Sequence, residues 1–342
     1  MPVSSRGFTT TDGIDLNEIL YNTVLPIVDL YNNEEVLDLR AMMCMDGDES
    51  YFKFDASGRW KFQILAEAEK PISRKIEYGK RQKDVTKYGL DIDYTFDWLM
   101  SEQSSSTEIA YKAGKAVTRD RALQTSVILD AAVTSSTDGW YNGSFATLEK
   151  MNIPPTFGGN TFTAAHTHYV GGGSSTLALS YITAAKKHLK EHGYKGTMWG
   201  LCNANMFEKI ENLAGWAALS STAFIISNKV VDGVAVDGFR GRLLGIDWKE
   251  TEWMPDNYFM LVGSGDGLQD KPFRFIQKKN PRAKGLILTP GSYNVEYPII
   301  DATYLHWLAA QSLNRGAGVV YYLGASWSNP TAITTNVVDD GS

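Results

Sequence analysis

Between Ser105 and Val133 the chain carries an amphipathic pattern too long for an ordinary globular helix. Ser105 and Glu108 make a capping-box pair, and Ile109, Ala113, Ala116, Val117, Leu123 and Val127 then recur on one face. The pattern predicts a helix of roughly 28 residues, about 42 Å at about 1.5 Å per residue, where a typical helix has about 11–12 residues. No heptad is sustained along it, which argues against a coiled coil. A helix of this length needs a long, flat support.

Upstream, residues 1–48 mix polar and apolar positions around one helical candidate, Leu16 to Leu30, interrupted by Pro26. They read as an extended arm that needs a neighbour to pack on. From Tyr51 the period becomes two. Phe52 and Phe54 flank Lys53, Ser57-Gly58 makes a turn, and Trp60, Phe62 and Ile64 alternate again, which predicts a hairpin. Lys70 to Lys87 then holds Lys70, Arg74, Lys75, Lys80, Arg81, Lys83 and Lys87 against Glu77 and Asp84, with few apolar side chains to bury. This is a basic hairpin, either solvated or used as a docking surface. Tyr88 to Leu99 alternates apolar with acidic side chains, as a half-buried strand does. Past the long helix, Asp138 to Gly159 is a loop rich in Gly, Pro, Asn and Ser.

A second region opens at Gly171-Gly172-Gly173. Ser175 starts a predicted helix with Leu177, Tyr181, Ala185 and Leu189 on one face, stopped by Gly193. Thr197 to Cys202 is a short buried strand, and Asn203 caps a helix with Met206, Ile210 and Leu213 inward. Asp232-Gly233 and Asp237-Gly238 make hairpin turns ahead of two strands, Phe239 to Trp253 and Tyr258 to Val262. Val295 to Gln311 and Val319 to Leu323 read as long strands joined across Asn314 to Gly318, with a short helix around Leu305 to Leu313 as the other reading. No internal repeat of fixed period is visible.

Composition narrows the function. A length of 342 residues at 43% hydrophobic content supports one large or two modest domains. The balance of 33 basic against 39 acidic residues leaves a net charge of -6, the wrong sign for gripping nucleic acid. Cys44 and Cys202 have no CxxC spacing and read as buried free thiols of a reducing cytoplasm. The first residues hold no basic segment leading into an apolar run, and no stretch approaches the roughly 18 apolar residues of a membrane span. The chain is therefore expected to be cytoplasmic when made, without membrane contact. Asn142-Gly143-Ser144 matches a glycosylation acceptor, but without a secretory signal it reads as a turn.

Catalytic patterns are missing from the sequence: there is no P-loop, GxSxG elbow, HExxH or EF-hand. Gly263-Ser264-Gly265-Asp266-Gly267 lacks the third glycine and following helix of a dinucleotide loop and reads as a tight loop after a strand. His166 with His168, and His188 with His192 at i, i+4, have the chemistry of metal ligands. Neither pair has a third ligand near it in sequence, and such pairs are more often surface or capping residues. Asp91, Asp93 and Asp97 suggest acid/base work; with Asp91 and Asp93 on one face of a strand, a wet outer face is the plainer reading. The nine Trp and 17 Tyr serve cores and interfaces alike, so they do not discriminate. No catalytic, cofactor-binding or metal residue is assigned, and no cofactor is expected.

An order of elements carries the functional signal instead. The segment AEAEKPISRKIEYGKRQKDVTKYGLDIDYTFDWL resembles the extended E-loop hairpin of tailed-bacteriophage major capsid proteins of the Hong Kong 97-like fold. SEQSSSTEIAYKAGKAVTRDRALQTSVILDAA resembles the long spine helix of their peripheral (P) domain, and TSSTDGWYNG stands where a Gly-rich turn commonly follows it. STLALSYITAAKKHLKEHGYKGTMWGLCNANMFEKIENLAGW is similar to the helix, strand, helix run of the axial (A) domain. GRLLGIDWKETEWMPDNYFMLVG is similar to the family's strand, proline, strand pattern through Pro255, and Val295 to Leu323 to the return into P-domain strands. The resemblance spans nearly the whole chain and rests on order and spacing, since each motif alone is weak.

The resemblance implies an α+β, Hong Kong 97-like capsid fold. Its parts are an N-terminal arm (1–48), an E-loop hairpin region (49–88), a first P-domain part (89–165) with a spine helix over about 104–133, an A domain (166–290), and P-domain return strands with a C-terminal tail (291–342). It implies a non-enzymatic subunit that assembles with itself as pentamers and hexamers into an icosahedral head around phage double-stranded DNA. Such a subunit resides in the virion, after assembly in the host cytoplasm. Lys70, Arg74, Lys75, Lys80, Arg81 and Lys83 are the candidate contacts between subunits. A mildly acidic lining repels phosphate, so DNA is met by non-specific proximity only. A portal protein is an implied partner and a decoration protein a further candidate. Some relatives carry a long N-terminal scaffolding extension, whereas the arm here begins directly at Met1, so a separate scaffolding protein is expected. No residue matches the lysine-to-asparagine cross-link that some relatives form. An encapsulin-like nanocompartment shell shares the fold and differs in contents. A cytoplasmic metal-dependent hydrolase built on the His pairs is the reading from a different class.

Overall fold

The computed structural model of the chain describes residues 9–33, 38–50, 52–55, 78–102, 104–136, 139–140, 166–194, 196–218, 229–231, 234–236, 239–263, 271–290, 299–313, 316–331, 333 and 337–338. The long helix spans Ser106–Val133, 28 residues, and the Ser105 hydroxyl caps it by accepting from the Glu108 amide. Its front half buries Ile109, Ala113, Ala116 and Val117 in one apolar cluster; its rear half buries Leu123, Val127, Ile128, Leu129, Ala132 and Val133 in another. One helix thus serves two cores. No helix among the described residues is long and apolar enough to cross a membrane.

The N-terminal segment closes the first core. Leu16–Ile19, a π turn over Leu20–Val24, and Leu25–Asn33 follow one another without a break, with Asp15 accepting from the Asn17 amide at the start. The π turn lies just ahead of Pro26. A proline has no N–H, and its ring clashes with the carbonyl four residues back, so a widened turn carries the helix past it. Leu16, Ile19, Leu20, Val24 and Val28 then form a continuous stripe, clustered with Ile109, Ala113, Ala116 and Val117 and with Tyr94, Leu288, Ala302 and Tyr304 of the adjoining sheet. This corrects the expected free arm: residues 16–33 pack on their own subunit, and the long helix has its partner layer within the chain.

That sheet has five strands. Cys44–Asp48 lies parallel to Phe273–Gln277, which pairs antiparallel with the C-terminal half of Ile299–Ser312. The N-terminal half of Ile299–Ser312 takes Ile287–Pro290 on the same edge, and its other edge takes Thr86–Thr95 from Ile299↔Thr95 to Leu308↔Thr86. Ala302, Tyr304, His306 and Leu308 are buried while the residues between them are half-buried, a period of two that rules out the short helix around Leu305 to Leu313. Phe52–Asp55 pairs with Tyr78–Arg81 as a separate two-stranded ribbon. The expected hairpin joined Phe52–Phe54 to Trp60–Ile64, which lies outside the described residues together with Ser57-Gly58. Alternation identifies a strand but carries no information about its partner.

The second sheet runs, in spatial order, Tyr169–Gly171, Gly318–Tyr322, Tyr258–Gly263, Met198–Cys202, Ile246–Glu250, Phe239–Leu243 and Ala217–Ala218. Leu179–Glu191 buries Ile182, Ala185 and Leu189 there, and Ala204–Glu211 buries Met206, Phe207 and Ile210 behind an Asn203 cap that accepts from the Met206 amide. Three expectations are corrected. The helix begins at Leu179 rather than Ser175, because the Ser174 hydroxyl accepts from the Thr176 amide and holds that stretch in a local turn. Phe239 to Trp253 is two strands, broken at Leu244 and Gly245 with φ of 53° and 75°, the left-handed pair of a two-residue hairpin turn. The strand expected over Val319–Leu323 pairs in this sheet as Gly318–Tyr322, not beside Ile299–Ser312. Gly318 accounts for the close approach of the two layers: a Cβ there would collide with the buried Trp140 ring, which itself meets Phe273 of the first sheet edge-on at 4.6 Å. The turns expected at Asp232-Gly233, Asp237-Gly238 and Asn142-Gly143-Ser144 lie outside the described residues. Cys44 and Cys202 are buried and free, as expected.

The packing of the N-terminal helix is testable. Leu20 is fully buried, so Leu20→Ala is expected to lower unfolding free energy by about 2–5 kcal/mol, the usual cost of such a cavity. Urea unfolding of the purified chain measures it; wild-type stability would show that residues 16–33 do not pack on the long helix.

Candidate functional site

Between Val117 and Leu123, where the long helix passes from one core to the other, stands a buried carboxylate. Asp120 accepts hydrogen bonds from His306 Nδ1 at 2.7 Å, the Tyr31 hydroxyl at 2.6 Å and the Gln124 amide at 2.9 Å. The far nitrogen of His306 meets the Gln277 amide at 3.1 Å. The N-terminal helix, the long helix and two strands of the first sheet therefore converge on one charge. Burial pushes the Asp120 carboxyl up, but the hydrogen bond and pull of His306, with the bonds from Tyr31 and Gln124, outweigh it and hold it below the usual carboxylate range. Burial and the same carboxylate push the Tyr31 hydroxyl up. An Asp–His pair is two parts of a hydrolytic triad, but the third position holds an amide and no nucleophile.

The histidine pairs come together. His166 and His168 lie on the approach to Tyr169–Gly171, His188 in the last turn of Leu179–Glu191, and His192 is that helix's C-cap. A ring nitrogen of each lies within 4.8 Å of one from every other. His166 Nε2 is 2.9 Å from His192 Nε2, and His188 Nε2 is 3.1 Å from His168 Nδ1. Burial, then the neighbouring histidines, holds His168 well below the usual imidazole value; burial and His166 bring His188 to about 3; burial lowers His166 too. The expectation of surface or capping residues holds for His192 only in part, since it caps a helix but is 1% exposed. Each pair supplies the ligands that the other lacks nearby in sequence, and the i, i+4 spacing of His188 and His192 was the one local signal of it.

The remaining candidates are more ordinary. Asp91 and Asp93 gather with Asp301 on the first sheet, Asp91 and Asp93 exposed and Asp91 accepting from the Thr303 hydroxyl at 2.9 Å, while Asp97 is exposed in the short helix Phe96–Leu99. Desolvation and the charges of Asp91 and Asp93 raise Asp301, as expected of crowded carboxylates on an outer face. A cleft of about 1010 Å³ lies between Thr118, Arg121 and Thr125 of the long helix and the segment Glu252–Tyr258, and it is lined by no His or Cys among the described residues.

Of the candidate contact residues, Lys70, Arg74 and Lys75 lie outside the described residues. Lys80 and Arg81 fall in the ribbon strand Tyr78–Arg81, and Lys83 is half-buried in the link to Thr86–Thr95. Sequence reasoning missed a second set. Tyr21, Leu30, Leu90, Met100 and Tyr111 are large apolar side chains left exposed on the N-terminal helix, the strand Thr86–Thr95, the turn after Phe96–Leu99 and the front of the long helix.

No protein-family model matches the sequence, and no curated protein matches it. Solved structures do. A chain of Mycobacterium phage Patience is similar at TM-score 0.63 and 19% identity, over 94% of this chain and 93% of that chain. The capsid of a native GTA particle is similar at TM-score 0.50 and 13% identity, over 85% of this chain and 92% of that chain. The chain has the Hong Kong 97-like capsid fold. The holo-SrpI encapsulin complex from Synechococcus elongatus PCC 7942 is similar at TM-score 0.49 and 11% identity, over 87% of this chain and 94% of that chain.

Within this capsid fold Asp120 acts as a strut with a pH signature. Its native carboxyl lies below the unfolded value of about 3.9, so its stabilisation is complete above that value and is lost as pH falls through the native one. Asp120→Asn is expected to cost about 1.5–3 kcal/mol at pH 7, the worth of a charge-assisted hydrogen bond, and the gap to wild type should narrow below about pH 4. Urea midpoints of both subunits from pH 7 down to 3 check this; a gap independent of pH would place the stabilisation elsewhere.

Proposed function

We propose that this chain is a major capsid protein, a structural subunit that assembles with itself as pentamers and hexamers into an icosahedral head enclosing phage double-stranded DNA. The observation that carries the reading is the likeness to the phage Patience chain, which spans both chains nearly end to end. The residues support it. A two-stranded ribbon is marginal in water by itself, and Phe52–Asp55 with Tyr78–Arg81 pairs with no further strand among the described residues. Its stability therefore calls for a neighbouring surface. The exposed Tyr21, Leu30, Met100 and Tyr111 likewise gain from burial between subunits. The net charge of -6 lets packaged DNA slide past the wall rather than adhere.

In this reading 1–48 is the N-terminal arm, with residues 16–33 packed on the same chain, 49–88 the E-loop region, 89–165 the first P-domain part, 166–290 the A domain and 291–342 the return and tail. Gly318–Tyr322 then crosses from the return into the A-domain sheet. The partners are a portal, a scaffolding protein encoded separately and, in some heads, a decoration protein. The particle is the virion shell, built in the host cytoplasm.

The cations Lys70, Arg74, Lys75, Lys80, Arg81 and Lys83 dock on acidic surface of an adjacent subunit. Reversing Lys75, Arg81 and Lys83 to Glu is expected to block assembly while leaving the far-ultraviolet circular dichroism near wild type, because surface ion pairs contribute little to folding. Unchanged assembly by light scattering would count against docking through these residues.

Identical interfaces close into wrong sizes or run on as tubes unless curvature is set from outside. Expressed alone, the chain should give mainly free capsomers and aberrant particles in negative stain, and co-expression with a scaffolding protein should restore one size. Nucleic acid in purified particles supports the phage head. Uniform shells from the lone chain, holding an enzyme cargo, would instead mark a nanocompartment.

A further inference from the structure

Four of the chain's five histidines meet where the end of Leu179–Glu191 faces the edge strand of the second sheet, and a shell role gives no reason for them to do so. We propose that His166, His168, His188 and His192 form a structural site for one tetrahedral zinc ion, tying that helix to the sheet edge.

The spacing suits the ion. Zinc–nitrogen bonds of about 2.0–2.1 Å set ligand atoms about 3.3–3.4 Å apart in a tetrahedron. The His166 Nε2–His192 Nε2 contact, at 2.9 Å, is already near that edge, and the four residues offer ligand nitrogens that all lie within 4.8 Å of one another. Small ring rotations bring the set to coordination distance.

Without a metal the proton inventory of the cluster is unfavourable. His168 Nδ1 is 2.7 Å from the Gly318 carbonyl, which can only accept, so the proton resides on Nδ1 and the lone pair on Nε2. That Nε2 is buried with no hydrogen-bond partner among the described residues, and His168 is 0% exposed. Nδ1 also faces His188 Nε2, so one proton serves two acceptors. A cation resolves both conflicts. The Gly318 carbonyl then plays the supporting part common around metal-bound histidines, holding the non-ligating N–H and fixing the tautomer.

The donor chemistry selects the metal. Four imidazoles with no carboxylate or thiolate suit a borderline transition ion and not calcium or magnesium. His188 and His192 sit at a helix C-terminus, where carbonyl dipoles favour a cation. Half-buried His166 gives access from solvent. Four protein ligands close the coordination shell and leave no position for water, so the site holds structure and does not activate a hydrolytic nucleophile.

The inference is independent of the shell reading and is tested on the unassembled full-length subunit. After chelator stripping and titration with zinc chloride, elemental analysis should find one zinc per chain, and the thermal midpoint should rise steadily with free zinc. Cobalt(II) should give the intense visible absorption of a tetrahedral site. His166→Ala and His188→Gln should each keep the metal-free midpoint near wild type and weaken zinc binding by more than the about 10–100-fold typical of losing a supporting group. His166, being half-buried, is the replacement that leaves folding least disturbed. Zinc well below one per chain with an unmoved midpoint would overturn the site, as would a zinc-dependent rise that persists when His166→Ala and His188→Gln are combined.

Discussion

Asp120 occupies the point on the long helix where its apolar face changes partners, and its three hydrogen bonds fix how the N-terminal helix, the long helix and the first sheet meet. Apolar packing is non-directional and tolerates sliding of one layer over another. A buried carboxylate does not, because any shift strips it of donors in a poorly solvated site. The two cores on either side supply the bulk of the free energy, and this node sets their register.

The second constraint is where the layers touch. Gly318 and Trp140 fill one another's space, and Trp140 turns its edge to Phe273. The crossing from Ile299–Ser312 to Gly318–Tyr322 carries the chain between sheets at this contact. Among the described residues, the ribbon pairs with no further strand, and Tyr21, Leu30 and Tyr111 on the helices stay exposed. In the proposed shell, repetition covers such elements, since one subunit's uncovered face is met by its neighbour.

The histidine cluster obeys the same logic on a smaller scale. A helix end and an edge strand meet there across four polar rings instead of an apolar seam, and buried polar groups are stable only when each lone pair and proton has a partner. The Gly318 carbonyl provides one. A bound ion provides the rest.

Much of this was legible along the chain because it is written in local periods. Ser105 and Glu108 with the stripe from Ile109 to Val127 marked the long helix, Asn203 marked the start of Ala204–Glu211, and the alternation of Tyr88 to Leu99 marked a strand, although the strand ends at Thr95 and Phe96–Leu99 is helical. Each depends on residues within a turn or two of one another. The tertiary structure decided the rest. Pro26 read as an interruption, and only packing on Ile109 and Val117 made a π turn worth its distortion. Strand partners, the sheet joined by Gly318–Tyr322, the donors around Asp120 and the meeting of His166 with His192 all join positions far apart in sequence. A local pattern specifies which face a residue turns inward, and the competition among all inward faces for burial selects what it meets there.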